Sequence, residues 1–254
     1  SLIDLCIGTQ VVNCTSSCNV TRNQNGTGGL INEAYSIASN GNYGNPVIPT
    51  RNCEIKDCVF SGTVTSSGAY VGGLIGSLNV VNIINCEMTG SVTGRSTVGG
   101  FFGASSYNAN DDTKGSIIEN SCVTGTITAT SGSAGGFAGI YVYDSPTYFL
   151  NCCYEGTVTA SNAAAYLGAQ DWTATFERCY GIRDDSIGVA WPTDTYGITG
   201  QSTWKSSTVT DANKQTIINN LNAKSITTNA AYAHTADYLE WERGGDGKPR
   251  LVRP

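Results

Sequence analysis

Charge is what this chain has least of. Only 13% of its 254 residues are Asp, Glu, Lys or Arg, and the formal net charge is −6. No stretch clusters Lys and Arg, as a phosphate-binding groove or an anionic lipid surface would require. Nucleic acid is therefore not an expected partner. Histidine is nearly missing too, with His234 the one copy. A single His cannot build an H-E-x-x-H zinc site, and no G-x-S-x-G elbow accompanies it. His234 is read as a solvated residue of the tail. C-x-x-C pairs are absent, and the C-x3-C spacing of Cys14 and Cys18 has no second pair to complete a metal site. No secretory leader and no apolar run long enough to span a bilayer is found, so membrane insertion is not expected. Lys, Glu, Leu and Met are scarce, which argues against a helical bundle.

What is present points elsewhere. Glycine is abundant at 31 residues, and 40% of the chain is hydrophobic. With plentiful β-branched and turn-forming residues, this is the composition of many short strands and tight corners, not of a disordered chain.

One phrase recurs. Val71-Gly72-Gly73-Leu74-Ile75-Gly76 returns as Val98-Gly99-Gly100-Phe101-Phe102-Gly103 and as Ala134-Gly135-Gly136-Phe137-Ala138-Gly139. A degenerate copy runs from Ala163 to Gly168, and a fragment from Thr27 to Ile31. The interval is about 30 residues, which signals a solenoid or related array. Ahead of each copy stands a second phrase: Ser61-Gly62-Thr63-Val64-Thr65, Thr89-Gly90-Ser91-Val92-Thr93, Thr124-Gly125-Thr126-Ile127-Thr128 and Glu155-Gly156-Thr157-Val158-Thr159. Apolar or Cys-containing runs such as Ile83-Ile84-Asn85-Cys86 come before those. Each repeat reads as three strand-like segments closing one coil of a parallel β-solenoid, with coils stacked about 4.8 Å apart.

Five positions before each phrase glycine stand Asp57, Asn85, Asn120 and Asn151. Asn and Asp tolerate left-handed corners, and stacked Asn side chains form ladders. Period-two alternation places Val64, Val92, Ile127 and Val158 inward, with Phe60, Met88, Val123 and Tyr154, and with Cys58, Cys86, Ser121 and Cys152. Cys122 and Cys153 then fall on the outer face of adjacent coils.

The ten cysteines are even in number and lack a metal signature, which favours an oxidising compartment. Two disulfides are expected, Cys122–Cys153 outside and Cys58–Cys86 inside, because neighbouring coils bring Cα atoms within bridging range. Three N-glycosylation sequons begin at Asn13, Asn19 and Asn25, which fits a secreted or cell-surface protein.

The whole is expected to be an all-β parallel β-helix of about five coils. Residues 1–24 are read as an N-terminal cap, 25–182 as the coils and 183–254 as a C-terminal cap or connector. In that last part Asp211 to Lys224 predicts one helix, with Asp211 as N-cap and Ile217, Ile218 and Leu221 on one face. Tyr238–Arg243 and Pro249–Val252 predict a hairpin.

The paired phrases, V-G-G-[LF]-x-G after G-[ST]-[VI]-T, resemble the GLUG repeat over roughly residues 25 to 170. The tail run Ile217-Ile218-Asn219-Asn220-Leu221-Asn222 and Asp246-Gly247-Lys248-Pro249-Arg250-Leu251 also looks like the end of such proteins. The resemblance implies a secreted or surface protein of adhesin-like character, with no catalytic residues to carry over. Secreted immunoglobulin-degrading proteases carry this repeat as well, with their metal motif separate from it. The cysteine content departs from bacterial members.

No cofactor or metal is expected. Carboxylate pairs stand at Asp111/Asp112, Asp184/Asp185 and Glu240/Glu242; adjacent residues in a strand point to opposite faces, so the first two pairs do not automatically converge. Tyr107, Tyr141, Tyr143, Tyr148, Trp172, Trp191 and Trp204 offer sugar-stacking platforms or ordinary packing. Ice binding would need flat, regular Thr rows; Thr63, Thr65, Thr93, Thr126, Thr128, Thr157 and Thr159 give a partial row, and the uneven coil lengths count against it. The expected function is a non-catalytic extracellular structural or adhesive protein that self-assembles into fibres. The alternatives are a monomeric glycan- or protein-binding adhesin module and a polysaccharide-degrading β-helix enzyme. Partners are accordingly other copies of the chain, or an extracellular glycan or protein.

Overall fold

A computed structural model describes the chain apart from residues 37–52, 106–114, 142–146, 165, 169–173, 184–201, 206–208, 228–229 and 232. The architecture is an all-β parallel β-solenoid of about five turns with one C-terminal helix and a β-hairpin. Successive coils pair in parallel register: Ile3 lies opposite Ile31, Ile31 opposite Ile75, Ile75 opposite Phe102, and Phe102 opposite Ala138.

Each coil visits five faces where the sequence suggests three segments. In the first coil these are Ile3–Ile7 on face 1, Gln10–Val12 on face 2, Thr15–Ser16 on face 3, Asn19–Arg22 on face 4 and Thr27–Gly28 on face 5. The Asn corner separates face 2 from face 3, and the phrase glycine separates face 3 from face 4. The V-G-G phrase turns the chain from face 5 into face 1 of the next coil. Residues 1–24, expected as a cap, instead supply four strands of a coil in full register with the next, as Val20 opposite Val64 shows.

The inward positions are as the alternation requires. Phe60, Met88, Val123, Val64, Val92 and Ile127 are all fully buried. Toward the last coils aromatics fill the bore, with Phe137 stacked on Tyr166 at 4.7 Å and Phe149 on Phe176 at 4.9 Å between ring centres. Such offset stacks add to the burial of apolar area that drives the fold.

The corners divide their labour. The Asn column is left-handed throughout: φ is 56° at Asp57, 53° at Asn85, 45° at Asn120 and 55° at Asn151. Asn13 and Arg178 extend the column at either end, with φ of 55° and 53°. The Asn85 amide donates to Asp57 Oδ1 at 2.8 Å, Asn120 to Asn85 at 2.7 Å, and Asn151 to Asn120 at 2.8 Å. The phrase glycine serves close approach instead. A Cβ on Gly90 would sit 2.1 Å from the Gly62 carbonyl oxygen of the coil below.

Directly after each ladder residue comes a small inward donor: Cys14, Cys58, Cys86, Ser121, Cys152 and Cys179. The Cys86 thiol donates to Ile84 O at 3.3 Å and to Ile55 O of the coil below at 3.5 Å. Cys58, Cys152 and Cys179 repeat that double contact, and Ser121 donates to Glu119 O at 2.7 Å. The carbonyls at Ile84, Glu119, Leu150 and Glu177 also accept from the ladder residue of the coil below, so each side chain adds a second donor at the corner.

The expected disulfides are not formed in this structure, where all ten cysteines are free thiols. Cys122 and Cys153 are directly opposed, as predicted. In-register parallel neighbours hold their Cβ atoms near the strand spacing of about 4.8 Å, which exceeds the usual disulfide range of about 3.5–4.5 Å. Cα proximity alone is therefore a poor guide in a solenoid.

The helix runs Asp211–Asn222, capped by Thr210 and not by Asp211, with Thr210 and Asn213 forming a capping box. Ile217, Ile218 and Leu221 are its buried residues. The hairpin is Trp241–Arg243 paired with Pro249–Leu251. The described part of this tail lies along the flank of the stack.

Candidate interaction surfaces

Two flanks of the solenoid differ in what covers them. The first is the Asn ladder with the outer side of face 3. The tail crosses it coil by coil, bonding to a separate carboxylate at each level. Glu87 of the third coil accepts from Arg253 at 3.0 Å and from Leu251 N at 3.3 Å. Glu119 of the fourth accepts from His234 N and from the Tyr238 hydroxyl, both at 2.8 Å, and lies 2.5 Å from His234 Nδ1. Glu155 of the fifth pairs with Arg243. Glu177 of the sixth accepts from Thr227 N at 2.5 Å.

The ladder itself holds the tail backbone. Asn85 donates to Asp237 O at 2.8 Å and accepts from Leu239 N at 3.2 Å. Asn120 donates to Leu239 O at 3.0 Å and accepts from Trp241 Nε1 at 2.6 Å, and Asn151 donates to Leu221 O at 3.1 Å. Between these polar rows Cys122, Cys153, Tyr180 and Ile182 pack against Ile217, Leu221, Trp241 and Leu251. Cys122 and Cys153 thus point away from the bore as expected, yet both are fully buried. Burial pushes both thiols up from their ordinary range, which makes them poor nucleophiles while the tail is seated.

His234 is exposed, its side chain 44% accessible, and its ring also engages a carboxylate with no exposure at all. Glu119, His234 and Tyr238 group a fully buried acid, a part-exposed imidazole and a phenol. Burial, reinforced by Glu119, raises the Tyr238 hydroxyl well above its usual range. Beside the hairpin a shallow cleft of about 360 Å³ is lined by Val59, Glu87, Glu242, Arg250, Leu251, Val252 and Arg253. Its charges are already matched, Arg250 to Glu242 and Arg253 to Glu87. Among the described residues no group of three or more His, Cys, Asp or Glu is placed to hold a metal ion.

The second flank is the outer side of face 4. Its outward positions form two columns running through five coils. One is Asn19, Thr63, Ser91, Thr126 and Thr157; the other is Thr21, Thr65, Thr93, Thr128 and Thr159. Thr93 and Thr128 are half-buried and the rest exposed. The columns carry no charge. Their side chains repeat about 4.8 Å up the stack and about 6.6 Å along each strand. The register of the row is continuous through all five coils, although the coils differ in length.

The sequon residues Asn13, Asn19 and Asn25 are all exposed on the first coil. Asn25 is already engaged, its Oδ1 accepting from Ala69 N at 2.8 Å, and Thr27 of the same sequon is fully buried. Tyr148 packs beside Leu150, Ile226 and Tyr238. Tyr107, Tyr143, Trp172 and Trp191, and the pairs Asp111/Asp112 and Asp184/Asp185, lie outside the described residues.

The clasping carboxylates and the tail were missed at the sequence level because they do not repeat. Glu119 and His234 stand 115 residues apart, and no spacing rule joins them. The corner thiols did leave a signal, a Cys or Ser after every ladder residue.

No family model matches the chain, and no curated protein matches it. A solved structure of a "putative immunoglobulin A1 protease" from Bacteroides ovatus is similar over 97% of this chain and 68% of that one, with a TM-score of 0.64 and 21% identity. At that identity the likeness shows a shared fold and nothing further.

Proposed function

We propose that this chain is a non-catalytic extracellular module that works as a structural and adhesive surface, with the outer side of face 4 as its contact surface. The observation that carries this reading is the pair of uncharged columns, eight of whose ten residues are threonines rigid at χ1 as β-branched residues are, on an exposed or half-buried face. Neutral hydroxyls on a flat scaffold suit a neutral, hydroxyl-rich polymer, and an extracellular glycan is the ligand class they favour. The GLUG-like phrases and the exposed Asn13 and Asn19 sequons support a secreted or cell-surface setting.

Retention of the full chain on immobilised neutral polysaccharides tests it. The unmodified chain should be retained, and the variant carrying Thr93→Lys and Thr128→Lys should elute at least about tenfold more weakly, since loss of roughly 1.4 kcal/mol of contact energy suffices for that. Absence of retention, or equal retention of both proteins, would overturn the reading.

Self-assembly is a second reading. Leu2, Leu5, Ile7 and Val12 of the first coil are each more than 40% exposed, an apolar cluster beside strand edges that other copies can join. Filaments seen by electron microscopy would support it, and uniform single particles would not.

A further inference from the structure

The cysteines separate into two geometries. Cys58, Cys86, Cys152 and Cys179 stand in one column, and each donates to two backbone carbonyls. Cys6 and Cys53 are arranged otherwise. Cys6 lies in Ile3–Ile7 on face 1 of the first coil, and Cys53 opens Cys53–Lys56 on face 2 of the second. The pair crosses a coil step and a corner together, so its side chains converge. The two sulfurs are 3.3 Å apart.

Cys6 keeps 4% of its surface open, whereas Cys53 is fully enclosed. The hydrogen bond from the Cys53 thiol outweighs burial and, with a backbone hydrogen bond at Thr9, holds Cys6 down at about 7. The same bond, with burial, pushes Cys53 up. An attacking thiol and a partner within reach are therefore adjacent, as thiol–disulfide exchange requires.

We propose that Cys6 and Cys53 are a disulfide-forming pair that joins the first coil to the second. Small-molecule disulfides such as oxidised glutathione are the oxidant class. The Cys6 thiolate attacks one sulfur of the oxidant, whose S–S bond breaks and releases one thiolate. Cys53 gives up its proton and attacks Cys6 Sγ in the mixed disulfide, and the second thiolate leaves. Two protein thiols lose two protons and two electrons, and the oxidant is reduced to two thiols.

The experiment is oxidation of the full chain by oxidised glutathione, unfolding with alkylation, digestion without reductant and peptide mass mapping. A cross-linked pair of peptides holding Cys6 and Cys53 is expected, with the other cysteines alkylated. Its thermal midpoint should rise on oxidation, because the bridge constrains the unfolded chain, and Cys6→Ser should abolish both the cross-link and the rise. Alkylation of Cys6 and Cys53 after oxidation would overturn the proposal, as would a dominant bridge between other cysteines.

Discussion

The ladder flank and the threonine flank are built by the same coils, one corner apart, yet they are used in opposite ways. On the ladder side nearly every outward group is committed. Asn85, Asn120 and Asn151 hold one another and hold the tail, and four carboxylates on four consecutive coils each take a different donor from it. On the threonine side the outward positions repeat one chemistry through five coils. The difference shows that a repeat dictates its inward residues, which must stack, while each outward face is free to take its own role. A face that varies from coil to coil is matched to one partner segment. A face that does not vary is suited to a partner that is itself periodic.

The largest effect that would break this contrast is expected at Asn120. Asn120→Ala removes its bonds to Asn85 and Asn151, its two bonds to the tail, and a residue suited to φ of 45°. With several buried groups left unpaired, unfolding in denaturant should show a loss of about 3–5 kcal/mol. Next comes Trp241→Ala, which removes the aromatic anchor of the tail at a cost of about 3 kcal/mol. Its sharper signature is thiol labelling: Cys122 and Cys153 should react faster, while Cys58 and Cys86 in the bore keep their rate.

Glu87 gives a smaller, pH-dependent effect. Burial raises its folded-state pKa above the ordinary carboxylate value, although Arg253 works against the shift. The native state therefore binds more protons than the unfolded chain between the usual value and the raised one. In that window this group's contribution to stability is greatest on the acid side and is lost as pH rises. Glu87→Gln should remove that part of the slope when denaturation midpoints are compared across it. Smallest of all is the threonine face. Thr93→Lys with Thr128→Lys should move stability by less than about 0.5 kcal/mol, and a larger loss would mean that this face, too, is structural.

What could be read from the sequence follows the same division. Periodic features were legible: the inward column from Phe60 to Tyr154, the Asn corners and the spacing of V-G-G. The number of faces was not, because short strands such as Val59–Phe60 and Glu87–Met88 hold only two residues between corners. Alternation cannot resolve a strand that short. The course of the tail was hidden for another reason. Its partners Glu87, Glu119, Glu155 and Glu177 are ordinary charged residues until the coils bring them into line. The threonine row looked partial because Asn19, Thr21 and Ser91 were not counted with it, and pairing restores them.

The corner thiols carry one more consequence. Half of the chain's cysteines, Cys14, Cys58, Cys86, Cys152 and Cys179, occupy a single recurring niche where a short donor follows a left-handed residue. Their number then acts as a ruler: duplicating any coil but the fourth, where Ser121 fills the niche, duplicates a cysteine, and deleting one removes it. Cysteine content here grows with the length of the rod, so a longer relative would be richer in sulfur without being any more oxidised.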